Sequence, residues 1–328
     1  MNCVLANRRK WFQAAPEPDV PDVPSVWANF NLANAKYVGS AQLSAVNTSG
    51  ATKTIDCRAM SVLSDGRILF TDYQTDYIYV WGFEDGHPFE VAKFKSACDS
   101  RVQTNYYGGV QFGADGKSLY IGNSGNTYVY YREFSSAYDL ATNIGTSTTS
   151  LFTTSNGIVA YTGSLQFSSD GTSLFYKCHY DASGYGSLYW RKADLAWPTP
   201  TTAVGNARGF DLKRILLQET FNSKIIETTS TVTSLYWNSF CFSPDGLAVI
   251  FMIGGSATDT ATKKSKYAVK FVMTEAWNPS TMVYHSKLYL GDDLGLSSIP
   301  RCCCVNADGT KMLIFDYNAY KFHEYTLA

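Results

Sequence analysis

Three thiols in a row, Cys302-Cys303-Cys304, are the densest group of reactive side chains in the chain, and Cys3, Cys57, Cys98, Cys178 and Cys241 complete a set of eight. Cysteines can ligate zinc, attack as thiolates or pair as disulfides. No C-x-x-C occurs and no histidine stands at finger spacing, so a zinc site has little support, and buried thiol is the expectation for most of them. His87, His179, His285 and His323 are scattered, with no neighbour at metal or triad spacing. No G-x-S-x-G, Gly-rich phosphate loop, H-E-x-x-H or EF-hand pattern is present. The sequence therefore assigns no catalytic residue, no cofactor and no metal. Five carboxylates, Asp65, Asp115, Asp170, Asp245 and Asp308, recur in similar surroundings and could be taken for a ring of acids. Each is followed by a glycine, Gly66, Gly116, Gly171, Gly246 and Gly309. Asp in a tight turn bonds its own backbone while Gly supplies positive φ, so these pairs read as structural turns.

The elements around the turns repeat. The copies are 60–70, 110–120, 165–175, 240–250 and 303–313, each an Asp-Gly flanked by two apolar runs. Three positions before the Asp stand Val62, Phe112, Phe167, Phe242 and Val305, and two residues earlier Met60, Val110, Leu165, Phe240 and Cys303. Residues two apart share a strand face, so this face is apolar throughout. Between them, Ser61, Gln111, Gln166, Cys241 and Cys304 are small or polar, as on a face that meets a wetter surface. A third strand follows each hairpin, at 77–81, 128–131, 187–190, 267–271 and 321–325, rich in aromatic and β-branched residues. An aromatic punctuation then appears at Tyr138, Trp197 and Trp277, with room for a fourth strand.

The turns recur roughly every 50 to 75 residues, near the ~40–50 of four-stranded propeller blades lengthened by loops. The last copy stops after its third strand. The segment 26–38 has no Asp-Gly hairpin and reads as a punctuation followed by a fourth strand, so joining the termini removes two exposed sheet edges. The sequence predicts an all-β protein: a β-propeller of five four-stranded blades over residues 27–328, closed by N- and C-terminal strands that share one blade. Cys241 and Cys304 hold the same place in neighbouring repeats, which makes them the candidates for an intramolecular bridge if their Cα atoms lie within ~7 Å.

Phe242-Ser243-Pro244-Asp245-Gly246, Asp308-Gly309-Thr310-Lys311-Met312, Glu324-Tyr325-Thr326-Leu327 and 275–281 (Glu-Ala-Trp-Asn-Pro-Ser-Thr) together resemble a repeat of bacteriophage virion-associated β-propeller proteins. That repeat reads F-S-P-D-G-T-K-L-Y-V, then I-Y-Q-Y-x-L, with an S-T-A-W-D-L-S-T-A tail. Copies one and two depart from the tail, with Phe83-Glu84-Asp85-Gly86 and Ala137-Tyr138-Asp139-Leu140. The resemblance implies a non-enzymatic structural protein of the virion, a head, neck or tail appendage, decoration or fibre component. Its partners would be other virion proteins, copies of itself, and a host surface glycan or receptor. It offers no catalytic residue.

Residues 1–26 fall outside the repeats. Pro16, Pro18, Pro21 and Pro24 favour an extended, semi-rigid spacer, preceded by the basic and aromatic Arg8, Arg9, Trp11 and Phe12. This segment reads as an anchoring arm, and Cys3 within it is the candidate for an intermolecular bond in oxidising surroundings. With 27 Lys plus Arg against 28 Asp plus Glu, no basic field for nucleic acid exists. No apolar run reaches the ~18 residues of a membrane helix, and the first ten residues carry no apolar stretch of signal-peptide length. The expectation is synthesis in the host cytoplasm, no membrane insertion and a final place in the virion. The polar loop 254–265 is a candidate for recognition or a solvated insertion. A carbohydrate-binding module and a hydrolase or lyase with residues spread over blades are the alternatives.

Overall fold

The computed structural model describes residues 27, 30–105, 108–122, 128–144, 149–153, 164–169, 171–177, 188–192, 208–210, 237–253, 266–295 and 297–328. Strand β1 (Lys36–Ala41) is followed by a small hairpin, β2 (Ser44–Val46) and β3 (Thr52–Thr54). The first blade is β4 (Cys57–Val62), β5 (Ile68–Asp72), β6 (Tyr77–Trp81) and β7 (Ser100–Gln103). The second is β8 (Val110–Phe112), β9 (Ser118–Gly122), β10 (Tyr128–Glu133) and β11 (Thr149–Thr153), and the third is β12 (Leu165–Phe167), β13 (Ser173–Lys177), β14 (Leu188–Lys192) and β15 (Arg208–Phe210). The fourth is β16 (Trp237–Phe242), β17 (Ala248–Ile253), β18 (Tyr267–Met273) and β19 (Met282–Tyr289). The fifth has β20 (Pro300–Val305), β21 (Lys311–Asp316) and β22 (Lys321–Thr326), and β1 supplies its outer strand. The described residues thus form five four-stranded antiparallel sheets, a propeller closed by strands from both ends of the chain. β1 runs antiparallel to β22, with Lys36 opposite Thr326 and Ala41 opposite Phe322.

The Asp-Gly pairs act as turns. Gly66, Gly116, Gly171, Gly246 and Gly309 all have φ between 65° and 84°, and Asp65, Asp115, Asp245 and Asp308 accept hydrogen bonds from backbone N–H groups two residues on. Asp170 lies outside the described residues. The aromatic punctuation folds back onto its own turn: Trp277 N donates to Gly246 O at 2.9 Å and Tyr138 N to Gly116 O at 2.7 Å. A Cβ on Gly246 would lie 2.3 Å from the Trp277 ring, so only glycine permits this packing. Trp27 and Phe30 cover Gly309 in the same way, so the N-terminal segment serves the fifth blade as Trp277 serves the fourth. A short 3-10 turn follows, capped by the side chain of Asn31, Asp139 or Asn278.

Two kinds of tie repeat between blades. In the first, the preceding blade caps the 3-10 turn: Ser100 Oγ accepts from Leu140 N, Ser286 Oγ from Leu32 N, and Glu324 Oε2 from Val91 N. The fourth blade has Pro279 at this place, which carries no N–H to satisfy. In the second, the side chain four before the hairpin Asp reaches the next inner strand. Gln111 Oε1 accepts from Phe167 N at 2.6 Å, and Gln166 Oε1 accepts from Phe242 N at 2.8 Å while its Nε2 donates to Phe242 O at 3.3 Å. Ser61, Gln111 and Gln166 are half-buried whereas Cys241 and Cys304 are buried, so the wetter face expected at this position holds for the first three blades, where the two glutamines also tie the adjoining blade. The apolar positions either side of them pack on the preceding blade, as Cys303, Val305 and Met312 do against Ala248, Ile250 and Met252.

The closing strand is held on its flank as well as by its ladder. Lys270, buried in β18, donates to Trp27 O and, at 2.6 Å, to Phe30 O, and its ammonium lies 3.9 Å from the Phe30 ring centre. Burial pushes this amine down to about 8. On β22, His323 stands opposite Ser40 of β1, with its ring 5.9 Å from that of Tyr37. Neither ring nitrogen of His323 has a hydrogen-bond partner, and burial pushes its pKa down to about 4.

A base depressed in the fold contributes stability that is fully present above its unfolded value of about 6.5 and lost as pH falls from there toward its folded value. Stability should therefore drop by roughly 3 kcal/mol from this group between neutral pH and about pH 4. The buried Asp72 and Asp316, raised by burial, titrate in the opposite sense. Comparing urea unfolding of the native chain and His323→Phe isolates the histidine: the variant should lose distinctly less stability between pH 7 and pH 4.5. An equal loss in both would contradict this assignment.

Candidate functional site

Two regions of the ring combine chemistry with position. The first is a central cavity of about 230 Å³ lined by inner-strand residues of all five blades, among them Ser61, Gln111, Gln166, Cys241 and Val305. The amides of Gln111 and Gln166 are engaged with backbone, and the Cys241 thiol, which accepts from the Val305 backbone, is pushed by burial up to about 12. The cavity runs along the inner strands, from Gly109 and Ser164, which precede β8 and β12, to Pro244, Trp27 and Trp277 at the Asp-Gly end. Its walls offer apolar surface and satisfied amides; no carboxylate or imidazole is among the described residues that line it.

The second region is at the end of the inner strands away from the Asp-Gly turns, where the fifth blade meets the first. β4 begins beside Asp72, and β20 begins beside Asp316. These two buried carboxylates order the turns that follow β5 and β21: Asp72 accepts from Asp56 N at 2.5 Å and Thr75 N at 3.0 Å, and Asp316 from Ile299 N at 3.0 Å and Asn318 N at 3.1 Å. Burial raises the pKa of both. Asp56, so fixed, is 1% exposed at its side chain and receives two guanidinium groups, Arg58 Nη2 at 2.7 Å and Arg301 Nη1 at 3.1 Å. The arginines remain 26% and 23% exposed. Tyrosine rings stack against them: Arg58 lies 4.4 Å from the Tyr73 ring centre, and Arg301 lies 3.9 Å from that of Tyr317. The two guanidinium groups share the Asp56 carboxylate, and burial together with Arg58 lowers the pKa of Arg301. With Tyr73 half exposed, this rim offers donors for an anion beside aromatic faces for an apolar or sugar ring.

This rim was absent from the sequence reading, although a signal exists. Only repeats one and five carry an arginine seven positions before the hairpin Asp and an Asp-Tyr pair after the second strand, Asp72-Tyr73 and Asp316-Tyr317. Cys241 and Cys304, the candidates for a bridge, are both thiols in this structure and belong to different cores. Equivalent positions in successive blades point the same way round the ring, so Cys241 lies in the core between blades four and five and Cys304 in that between five and one. His87 sits in a turn at 3.2 Å from Glu90, and His285 contacts Ser286 Oγ at 2.9 Å. Among the described residues no group of three or more His, Cys, Asp or Glu is placed to hold a metal, and no helix is long and apolar enough to cross a membrane. The arm residues Cys3, Arg8, Arg9, Trp11, Phe12, Pro16, Pro18, Pro21 and Pro24, the loop 254–265, Cys178 and His179 lie outside the described residues.

No family model matches the chain, and no curated protein matches it in sequence. Similar solved structures include the β-propeller domain of Cps50 (Swd1) from Myceliophteria thermophila, at 11% identity and TM-score 0.44 over 91% of this chain and 100% of that one. Hydrazine synthase of Kuenenia stuttgartiensis matches at 11% identity and TM-score 0.43 over 85% and 87% of the two chains. A putative 6-phosphogluconolactonase from Bacteroides uniformis matches at 11% and 0.38 over 84% and 70%. Likenesses of this order carry no functional argument.

Replacing Asp56 by Asn keeps the shape of the rim and removes the charge that holds Arg58 and Arg301 together. A partner stripped from a buried ion cluster costs about 3 kcal/mol or more, so Asp56→Asn should lower the urea midpoint by that equivalent, with partial recovery in high salt. An unchanged midpoint would show that the arginines do not depend on this carboxylate.

Proposed function

We propose that this chain is a non-enzymatic structural protein of a bacteriophage particle, in which residues 1–26 dock the propeller and the ring is displayed on the surface. The observation that carries the proposal is the two-ended build of the ring. Trp27, the residue that joins the arm to the propeller, is buried against Gly309 at the Asp-Gly end, beside the cavity. The Arg58, Arg301, Tyr73 and Tyr317 rim is at the other end of the same blades. A body anchored from one end leaves the other free for neighbouring subunits or a host surface. The virion assignment itself rests on the resemblance of the repeats. The engaged amides and the unreactive thiol of the cavity favour a scaffold over a catalyst.

The rim also favours a second reading, a carbohydrate- or receptor-binding module, because aromatic faces beside guanidinium groups suit a sugar ring that bears an acidic substituent. One experiment separates the readings: co-sedimentation of the full-length chain and a form lacking residues 1–24 with purified virions and with separated head and tail fractions. The full-length chain should sediment with one fraction, and the truncated form should keep its thermal unfolding midpoint and stay in solution. Retained binding by the truncated form would refute docking through the arm, and binding by neither would leave the glycan-binding module as the better reading.

A further inference from the structure

We infer that Cys57 and Cys302 form a disulfide that fastens the fifth blade to the first when the protein meets an oxidant. Their sulfur atoms lie 3.4 Å apart, in van der Waals contact, on the two inner strands that meet where the ring closes. Both thiols are buried, in a core that also holds Phe70, Phe315 and Phe322. A disulfide bond is about 2.05 Å long, so the sulfurs have to close by little more than 1 Å, a movement that rotation about the two Cα–Cβ bonds supplies, while the Cβ separation of about 3.8 Å that the bond also needs is set by the backbones of the two strands. Among the described cysteines this contact is particular to the pair. Cys304 Sγ instead lies 3.6 Å from the thioether of Met60, which cannot be bridged, and Cys241 and Cys303 belong to the neighbouring core.

The chemistry requires a disulfide oxidant of low molecular weight, such as oxidised glutathione. One protein thiolate attacks a sulfur of the oxidant and expels one small thiolate, giving a mixed disulfide. The second protein thiolate then attacks the protein sulfur of that mixed disulfide and expels the other small thiolate. The two protein thiols lose two electrons and two protons, and the oxidant gains both as two thiols. Burial holds the Cys57 thiol well above its ordinary pKa, so the closed ring supplies little thiolate and admits little oxidant. The bond therefore forms while the seam is open, during folding, and is protected once the seam has closed. The residues joined are 245 positions apart, so the bond restricts almost the whole ring in the unfolded chain.

The test refolds the full-length chain from denaturant in a glutathione redox buffer, blocks remaining thiols with iodoacetamide and maps peptides by mass spectrometry. The expected product is two hydrogen masses lighter before alkylation and yields one joined peptide pair containing Cys57 and Cys302. Its thermal midpoint should exceed that of the reduced protein by several degrees. That difference should vanish in Cys57→Ser and in Cys302→Ala and persist in Cys241→Ser. Recovery of Cys57 and Cys302 alkylated, each bound to glutathione, or joined to other cysteines would overturn the inference. The outcome does not depend on docking or on the rim.

Discussion

A ring of sheets has one place where covalent continuity cannot carry it round, and this molecule closes it with the hydrogen bonds between β1 and β22. Without β1, the third strand of the fifth blade would present an open edge, and the blade would lack the segment that covers its Gly309 turn. The chain therefore brings its beginning to its end, and much else follows. Lys270 gives up solvation to reach the carbonyls of Trp27 and Phe30, a donor that a wholly apolar neighbour could not provide. Ser286 caps the 3-10 turn of the closing segment itself, and Glu324 caps that of the first blade.

Elsewhere the blades are joined by a side chain that changes round the ring. Gln111 and Gln166 are long enough to reach the backbone of the next inner strand, Cys241 reaches with a weaker acceptor, and the Ser61 hydroxyl, too short to cross, is buried without a partner. Amide ties thus hold blades two, three and four, whereas thiols occupy the interfaces of the fifth. Cysteine is compact and tolerates an apolar setting, so between the fifth blade and the first it costs little desolvation and leaves a pair of sulfurs in contact.

The repeat was legible because its physics is local. An Asp-Gly turn between apolar runs needs no distant contact to be recognised, and the aromatic third strands appear where the alternation put them, as at Tyr77–Trp81. The closing strand could be inferred from what the last repeat lacked. What failed needed geometry between repeats. Position alone could not tell that Gln111 and Gln166 also bond the backbone of the next blade. Nor could it tell that Cys241 and Cys304, being equivalent, point into different interfaces. The rim of Asp56, Arg58 and Arg301 joins residues from the first and last repeats, and a seam is invisible until the ring is drawn.

The central claim, that the first strand completes the last blade and Lys270 holds it there, is tested most directly by native-state hydrogen exchange of residues 36–41. In the native chain the hydrogen-bonded amides of this segment should exchange as slowly as those of β22, and in Lys270→Met they should exchange faster while the inner strands keep their protection. Exchange of residues 36–41 within seconds in the native chain, with β20 to β22 still protected, would contradict closure by the N-terminal strand.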